Sequence, residues 1–214
     1  MARKTFLIAA VLVSSLLLSS IAYPQSSADS QTRRVKGLIL TSASLPPIRI
    51  RFGEAFKYVG SQQFILYDRA QVEQHFFVDA DRQLRIKRMY MVQFEGYLPN
   101  IIGSYNYSVT KTVSLAGQIY IADAEIVQNV AAAIKQDTQS DIARAASFLE
   151  KKSYHTGEGI VFQRFVRLVD EAKRNEFILL YVEDLSEAGL DAAEKEKAMQ
   201  EFSNRALKGF KILK

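Results

Sequence analysis

Short alternations of apolar and polar residues fill the sequence from Ile48 to about Val113, and they constrain the fold more than any other feature. Aromatic and β-branched side chains dominate this stretch, as they do on pleated sheets. Glycine and proline separate the runs, where bends are expected. The pattern predicts strands over residues 48–52, 55–59, 63–67, 72–79, 84–97 and 105–110, preceded by a first strand over 35–41.

The pattern becomes helical near Asp123. Apolar side chains from Ile126 to Ile134 recur at helical spacing, and Asp123 is the predicted N-cap of that helix. Ser140 is the predicted cap of a second helix, with Leu149 on its buried stripe.

Two further strands and a helix complete the chain. The strands are predicted over residues 160–169 and 176–182, joined as a hairpin. A last helix begins at Asp184 or Ser186 and runs to about Gly209.

Runs of strands followed by helices indicate an α+β fold. We expect a curved antiparallel sheet of about six to eight strands, packed against two central helices and a long C-terminal helix. Residues 35–214 form one predicted domain, because a chain of this length supports one core. Residues 23–34, rich in Ser, Gln and Thr, form a predicted flexible leader.

The first twenty-two residues have the pattern of a secretory signal peptide. Arg3 and Lys4 precede an apolar run over 6–18, and Ser20-Ile21-Ala22 provides the small residues that signal peptidase recognises. We expect cleavage after Ala22, with Ala28 as the second candidate, and a secreted or periplasmic protein without a transmembrane span. An uncleaved anchor is the alternative, although the apolar run is shorter than the roughly 20 residues of a span.

Composition excludes several kinds of chemistry. The chain has no cysteine, which removes disulfides, thiol nucleophiles and cysteine metal sites, and two histidines cannot form a three-histidine site. We expect no metal and no cofactor, with a mixed His/carboxylate metal site as the alternative that composition leaves open. Lysine and arginine form no long run, so a nucleic-acid partner is not expected.

One candidate site lies on the hairpin from Val72 to Phe94. A turn over 80–83 would pair Asp79 with Leu84 and His75 with Arg88, and would place one set of side chains on one face: Glu73, His75, Phe77, Ile86, Arg88, Tyr90, Val92 and Phe94. An apolar wall with a few polar groups is typical of a ligand pocket, in which Arg88 holds a carboxylate or phosphate and Glu73 orients His75. The alternative is the solvated end of a half-buried sheet.

The opposite face of the same hairpin is predicted to face solvent at Arg85, Lys87, Gln93 and Glu95. Met89 and Met91 also lie on it, either under a helix or as a small contact surface.

Arg164 is a second candidate ligand residue. It alternates with apolar residues of its strand, and an inward arginine requires a carboxylate or a ligand anion. The alternative is a strand buried on both faces, with Arg164 near an edge. Tyr154, His155 and Glu158 form a third group in a glycine-bounded loop, where a solvent-facing loop is favoured over a weak metal or proton-sharing site.

These features lead to three functional hypotheses. The first is an exported, non-enzymatic binding domain that encloses a small apolar or amphipathic acidic ligand, with Arg88 or Arg164 contacting the acid. The second is an extracytoplasmic protein-interaction or envelope-structural domain, which uses an edge strand or the Met89/Met91 face to bind an envelope protein. The third is a hydrolase-like enzyme with a His/Glu/Tyr site around His75 or His155, although recognised catalytic motifs are absent from the sequence.

Overall fold

A computed structural model describes residues 32–109, 111–186 and 195–213. The strands in these ranges are β1 (Arg33–Lys36), β2 (Ile39–Ser42), β3 (Ile48–Phe52), β4 (Lys57–Leu66), β5 (Ala70–Ala80), β6 (Ile86–Tyr97), β7 (Thr112–Leu115), β8 (Gln118–Val127), β9 (Ile160–Leu168), β10 (Asn175–Asp184) and β11 (Phe210–Ile212). The helices are α1 (Val130–Gln136), α2 (Asp141–Lys151) and α3 (Lys195–Lys208). The predicted signal peptide, and the predicted leader as far as residue 31, lie outside the described residues.

The strands form two antiparallel sheets. A seven-stranded sheet has the order β4-β5-β6-β10-β9-β8-β7, and a four-stranded sheet has the order β1-β2-β3-β11. The α+β class and the antiparallel pairing are therefore as the sequence predicts, but the prediction of one sheet missed the small one.

The small sheet begins where the sequence predicts a single strand over 35–41. Gly37 divides that stretch into β1 and β2, because its φ of +59° allows the tight turn that glycine adopts readily. The sheet is completed by β11, which pairs with β3 and places Ile212 opposite Ile50.

The first core lies between the two sheets. Phe52 of β3 stacks on Phe77 of β5 with ring centroids 3.9 Å apart, and Phe56 packs edge-on against Tyr90. Helix α3 contributes Phe202, which is fully buried. Burial of such large aromatic side chains supplies much of the hydrophobic stabilisation.

The second core lies on the other face of the seven-stranded sheet, under α1 and α2. Leu149 of α2 packs in the same cluster as Met91 and Leu180 of the central strands. Strands β6 and β10 are thus buried on both faces, which explains their nearly continuous apolar runs.

The predicted helix starting at Asp123 is wrong. Asp123 lies in β8, and α1 begins only at Val130, where the side chain of Asn129 accepts a hydrogen bond from the Ala132 N–H. The apolar residues from Ile126 to Ile134 belong partly to the end of β8 and partly to α1. Their spacing happens to match that of one longer helix. The Ser140 cap of α2 is confirmed, with its hydroxyl accepting from the Ala143 N–H.

Two other predicted elements differ from the structure. Residues 101–109 form neither strand nor helix, so the predicted strand over 105–110 is wrong. Asp184 ends strand β10, and the last helix among the described residues is α3; residues 187–194 lie outside the described residues. No helix in the described part of the chain is long and apolar enough to cross a membrane.

Candidate functional site

The register of the β5–β6 hairpin differs from the prediction by four residues. Asp79 lies opposite Arg88, and His75 lies opposite Val92. The turn is longer than predicted because the Asp81 carboxylate accepts hydrogen bonds from the N–H groups of Gln83 and Arg85, each at 2.9 Å. A shift of an even number of residues preserves the face of each side chain, so Glu73, His75, Arg88 and Tyr90 still share one face.

Ile86 is the exception on this hairpin. An irregularity in the pairing after Asp79 moves Ile86 to the opposite face, where it joins the core beneath the helices. The prediction that Ile86 lies beside Phe77 is therefore wrong.

Glu73 and His75 form a hydrogen-bonded network beneath the small sheet. The His75 Nε2 atom lies 2.7 Å from Glu73 Oε1, and Arg33 donates to the other carboxylate oxygen at 2.9 Å. The Tyr58 hydroxyl lies 3.2 Å from His75 Nδ1. Burial alone would raise the pKa of Glu73, but the His75 hydrogen bond and the Arg33 charge outweigh it and lower that pKa. Glu73 thus orients the imidazole, as the sequence predicts.

Arg88 and Tyr90 are engaged within the protein. Arg88 donates to the Asp79 carboxylate at 2.7 Å, and the Tyr90 hydroxyl donates to the Ala206 carbonyl of α3 at 2.6 Å. Tyr90 is fully buried. These contacts hold the hairpin to its neighbours, and the face around Tyr90 is filled by core aromatic side chains.

Arg164 lies on the opposite face of the seven-stranded sheet from Glu73 and His75. Its guanidinium donates to both carboxylate oxygens of Asp123 on β8, at 3.0 and 2.7 Å. It also lies 5.7 Å from the ring centre of Tyr107. The carboxylate that an inward arginine requires is thus supplied by the neighbouring strand.

A cavity of about 100 Å³ lies between α2 and the sheet, on the Arg164 face. Its walls are mainly apolar and come from β6, β10 and α2, and include Met89, Met91, Leu180, Val182, Ala145 and Leu149. Asp141 and Arg164 add charged groups to the lining. The arrangement, an apolar wall with a few polar groups, is typical of a small-molecule site.

A buried carboxylate pair continues the same sheet face beyond the cavity. Glu95 of β6 lies directly opposite Glu176 of β10, and the two side chains are only 8% and 3% exposed. Hydroxyl groups from the segment that follows β6 cover the pair, because Tyr105 donates to Glu95 and Tyr107 donates to Glu176. Gln93 donates to Glu95 at 2.8 Å.

Burial raises the pKa of both carboxyl groups. The pKa of Glu95 lies above its ordinary value despite hydrogen bonds from Tyr105 and Gln93. Burial, together with the charges of Glu95 and Asp141, raises the pKa of Glu176 to about 7 against the opposing effect of the Tyr107 hydrogen bond. Glu176 can therefore exchange a proton near neutral pH.

Sequence reasoning missed this pair. Gln93 and Glu95 were predicted to face solvent, yet Gln93 is fully buried and Glu95 is nearly so. The available signal was the near-continuous apolar run from Met89 to Phe94, which is typical of a strand buried on both faces. Met89 and Met91 lie under α2, one of the two predicted positions.

The third predicted group does not form a defined site. His155 is exposed, and its backbone joins the β5–β6 turn by accepting from the Ile86 N–H at 2.8 Å and donating to the Leu84 carbonyl at 3.0 Å. Among the described residues, no group of three His, Cys, Asp or Glu side chains is arranged to hold a metal ion.

Comparisons with protein-family models, with curated proteins and with solved structures gave no match to this chain.

Proposed function

We propose that this protein is an exported, non-enzymatic binding domain that encloses a small apolar or amphipathic ligand between α2 and the seven-stranded sheet. The cavity of about 100 Å³ is the observation that carries the proposal. An apolar cavity of about 150 Å³ in another protein binds benzene. The space here therefore suits a ligand, or one end of a ligand, close to the size of a single aromatic ring.

The polar lining indicates how an amphipathic acid would bind. Arg164 is the residue that contacts the acid, whereas Arg88 lies on the other face of the sheet and pairs with Asp79. Asp141 also lines the cavity, and its charge acts on the buried Glu176. Because these carboxyl groups would repel a carboxylate, we propose that an acidic ligand binds in its protonated form.

The helices have distinct places in this proposal. We propose that α1 and α2, the two central helices, cover the ligand; α3 is the C-terminal helix among the described residues. Helix α3 packs with the core of the opposite sheet face, where Phe202 and Ala206 are fully buried. Helix α3 therefore supports the sheet from the face opposite the cavity, and α2 is the helix that controls access of the ligand to the cavity.

Export is the part of the proposal that rests on the sequence pattern of residues 1–22. The denatured mass of protein purified from cells that express the full chain tests it. A mass corresponding to residues 23–214 or 29–214 supports export with cleavage, and the mass of the uncut chain contradicts it.

The interaction hypothesis loses one of its two surfaces. Met89 and Met91 are only 6% and 2% exposed beneath the helices, so they offer no contact surface to a partner. The edge strands of the two sheets, β4 and β7 of the large sheet and β1 and β11 of the small one, are the remaining candidates for an envelope protein partner.

A cavity-filling variant tests the binding proposal. Ala145 is buried on α2 and lines the cavity, so Ala145→Leu fills space that the ligand needs. Ala131→Leu is the matched control, because Ala131 is exposed on α1. We expect benzene to raise the melting temperature of the wild-type protein and of Ala131→Leu, and to leave that of Ala145→Leu unchanged.

The size of the effect follows from mass action. At a free benzene concentration ten times its Kd, binding stabilises the folded state by about 1.4 kcal/mol. Equal shifts in both variants, or no shift in the wild-type protein, would contradict the proposal. Ala145→Val, a smaller change at the same position, replaces Ala145→Leu if the larger variant does not fold.

A further inference from the structure

The outer face of the four-stranded sheet is strongly basic. Five long cationic side chains project from three of its strands and are exposed: Arg34 and Lys36 from β1, Arg49 and Arg51 from β3, and Lys211 from β11. Buried and exposed residues alternate along β3: Ile48, Ile50 and Phe52 point to the core, and the arginines that alternate with them point outward. We call this set the basic face.

The pairing register places the five side chains in two rows across the sheet. One row contains Arg34, Thr41 and Arg49, and the other contains Lys36, Ile39, Arg51 and Lys211. The residues come from three segments that are far apart in sequence, so no run of basic residues marks the face in the chain.

The strands that carry the basic face contain no acidic residue of their own. None of the four strands contains an Asp or Glu residue. Within residues 32–109, 111–186 and 195–213, none of the ion pairs involves a member of the basic face.

We propose that the basic face binds the anionic surface of a lipid membrane. Lysine and arginine side chains that lie near an anionic leaflet are attracted to its headgroups, and several such residues on one surface add their effects. A proposed exported protein meets membrane surfaces, but the argument rests on the charge arrangement and is independent of the ligand cavity.

The shape of the basic face favours a membrane over a nucleic acid. Four strands about 4.8 Å apart span about 14 Å before side chains are counted, which exceeds the width of about 12 Å of the DNA major groove. Single-stranded nucleic acids bind through aromatic side chains that stack on bases, and the two rows contain no aromatic residue. Lipid headgroups move laterally and can match any spacing of cations.

Vesicle binding with a pair of charge-matched variants tests the proposal. The full chain is mixed at 50 mM salt with vesicles of 30% phosphatidylglycerol and 70% phosphatidylcholine, and with vesicles of phosphatidylcholine alone. Arg49→Thr/Arg51→Thr removes two charges from the basic face and keeps residue types suited to a strand. Lys135→Gln/Lys151→Gln removes two exposed charges from α1 and α2, on the other side of the large sheet.

We expect the wild-type protein to prefer the anionic vesicles, and binding to weaken as salt increases. Each basic side chain contributes a factor of about five to the partition coefficient. The Arg49/Arg51 variant should therefore bind about 25-fold more weakly, whereas the Lys135/Lys151 variant should change less than twofold. The neutral vesicles measure any binding by other parts of the chain.

Three results would overturn the proposal. The first is equal binding to both kinds of vesicle. The second is an equal loss of vesicle binding in both variants, which would show that binding depends on the net charge of the protein and not on the basic face. The third is tighter binding to a 30-nucleotide DNA that the Arg49/Arg51 variant loses, which would identify a nucleic acid as the partner. Circular dichroism checks that each variant is folded, and Lys36→Thr/Lys211→Thr replaces the arginine variant if that one is not.

Discussion

At the scale of single residues, the buried pair Glu95 and Glu176 is the least expected feature of this sheet. Two carboxyl groups lie on adjacent strands of one face, and each accepts a hydrogen bond from a tyrosine of the segment after β6. Such a pair avoids the repulsion of two buried charges when at least one member is protonated.

The raised pKa of Glu176 predicts that stability falls as the solution becomes more basic. Its pKa is about 7 in the folded protein against an ordinary value of 4.5, so the folded state binds the proton more tightly than the unfolded state. The stabilisation is complete below pH 4.5 and is lost as the pH rises through 7. We expect the free energy of unfolding, measured with urea, to fall by about 2 kcal/mol between pH 5 and pH 8.

Glu176→Gln isolates this contribution. The variant should remove most of that decrease, because glutamine does not titrate. Glu171→Gln, which changes an exposed glutamate in the β9–β10 turn, should retain it. A Glu176→Gln protein with the full wild-type pH dependence would show that another group is responsible.

Arg164 shows which contacts of a single residue can be predicted from the sequence and which cannot. The sequence offered two interpretations, an inward arginine that needs a carboxylate or a ligand anion and a strand buried on both faces, and β9 is buried on both faces with Arg164 paired to a carboxylate. The partner could not be found, because Asp123 has the sequence context of a helix cap and becomes a strand residue only through its pairing with β9.

At the scale of elements, the junction between α3 and β11 depends on one close approach. A Cβ atom on Gly209 would lie 2.3 Å from the Tyr90 hydroxyl oxygen and 2.9 Å from a carbon of its ring. Tyr90 is fully buried and cannot move away easily. Gly209→Ala should therefore destabilise the protein by about 2–3 kcal/mol, as overpacking does elsewhere.

Gly53 provides the matched control for this junction. A Cβ atom there would meet the Gly209 carbonyl oxygen at 3.5 Å, an ordinary contact, so Gly53→Ala should change the urea midpoint far less. Similar midpoints for both variants would contradict the assigned packing of Tyr90 against the end of α3.

Local patterns predicted several elements well. β3 matches its predicted bounds of 48–52, and α2 begins after its predicted cap, because alternation and capping depend on adjacent residues. The register of the β5–β6 hairpin depends on the length of its turn, which hydrogen bonds to the Asp81 side chain extend beyond the predicted four residues. The extended segment with Tyr105 and Tyr107 alternates like a strand, yet both hydroxyls point to buried glutamates.

At the scale of the whole described structure, the cavity and the basic face are formed by residues that are far apart in sequence, so no local sequence pattern predicts them. The cavity requires β6, β10 and α2 together, and the basic face requires β1, β3 and β11. The sequence predicted an enclosed site with an arginine, and it offered Arg88 and Arg164 as alternative residues that contact the acid. The structure separates them onto opposite faces of the sheet.

Methionine methyl NMR tests the central claim, that the cavity beneath α2 binds a small apolar ligand. The chain has four methionines, of which Met89 and Met91 line the cavity and Met199 lies in α3 on the other core. In protein labelled with ¹³C at the methionine methyl groups, benzene should shift the Met89 and Met91 signals saturably and leave Met199 unchanged. Ala145→Leu should abolish the shifts. Unchanged Met89 and Met91 signals at saturating benzene, or equal shifts at Met199, would contradict the claim.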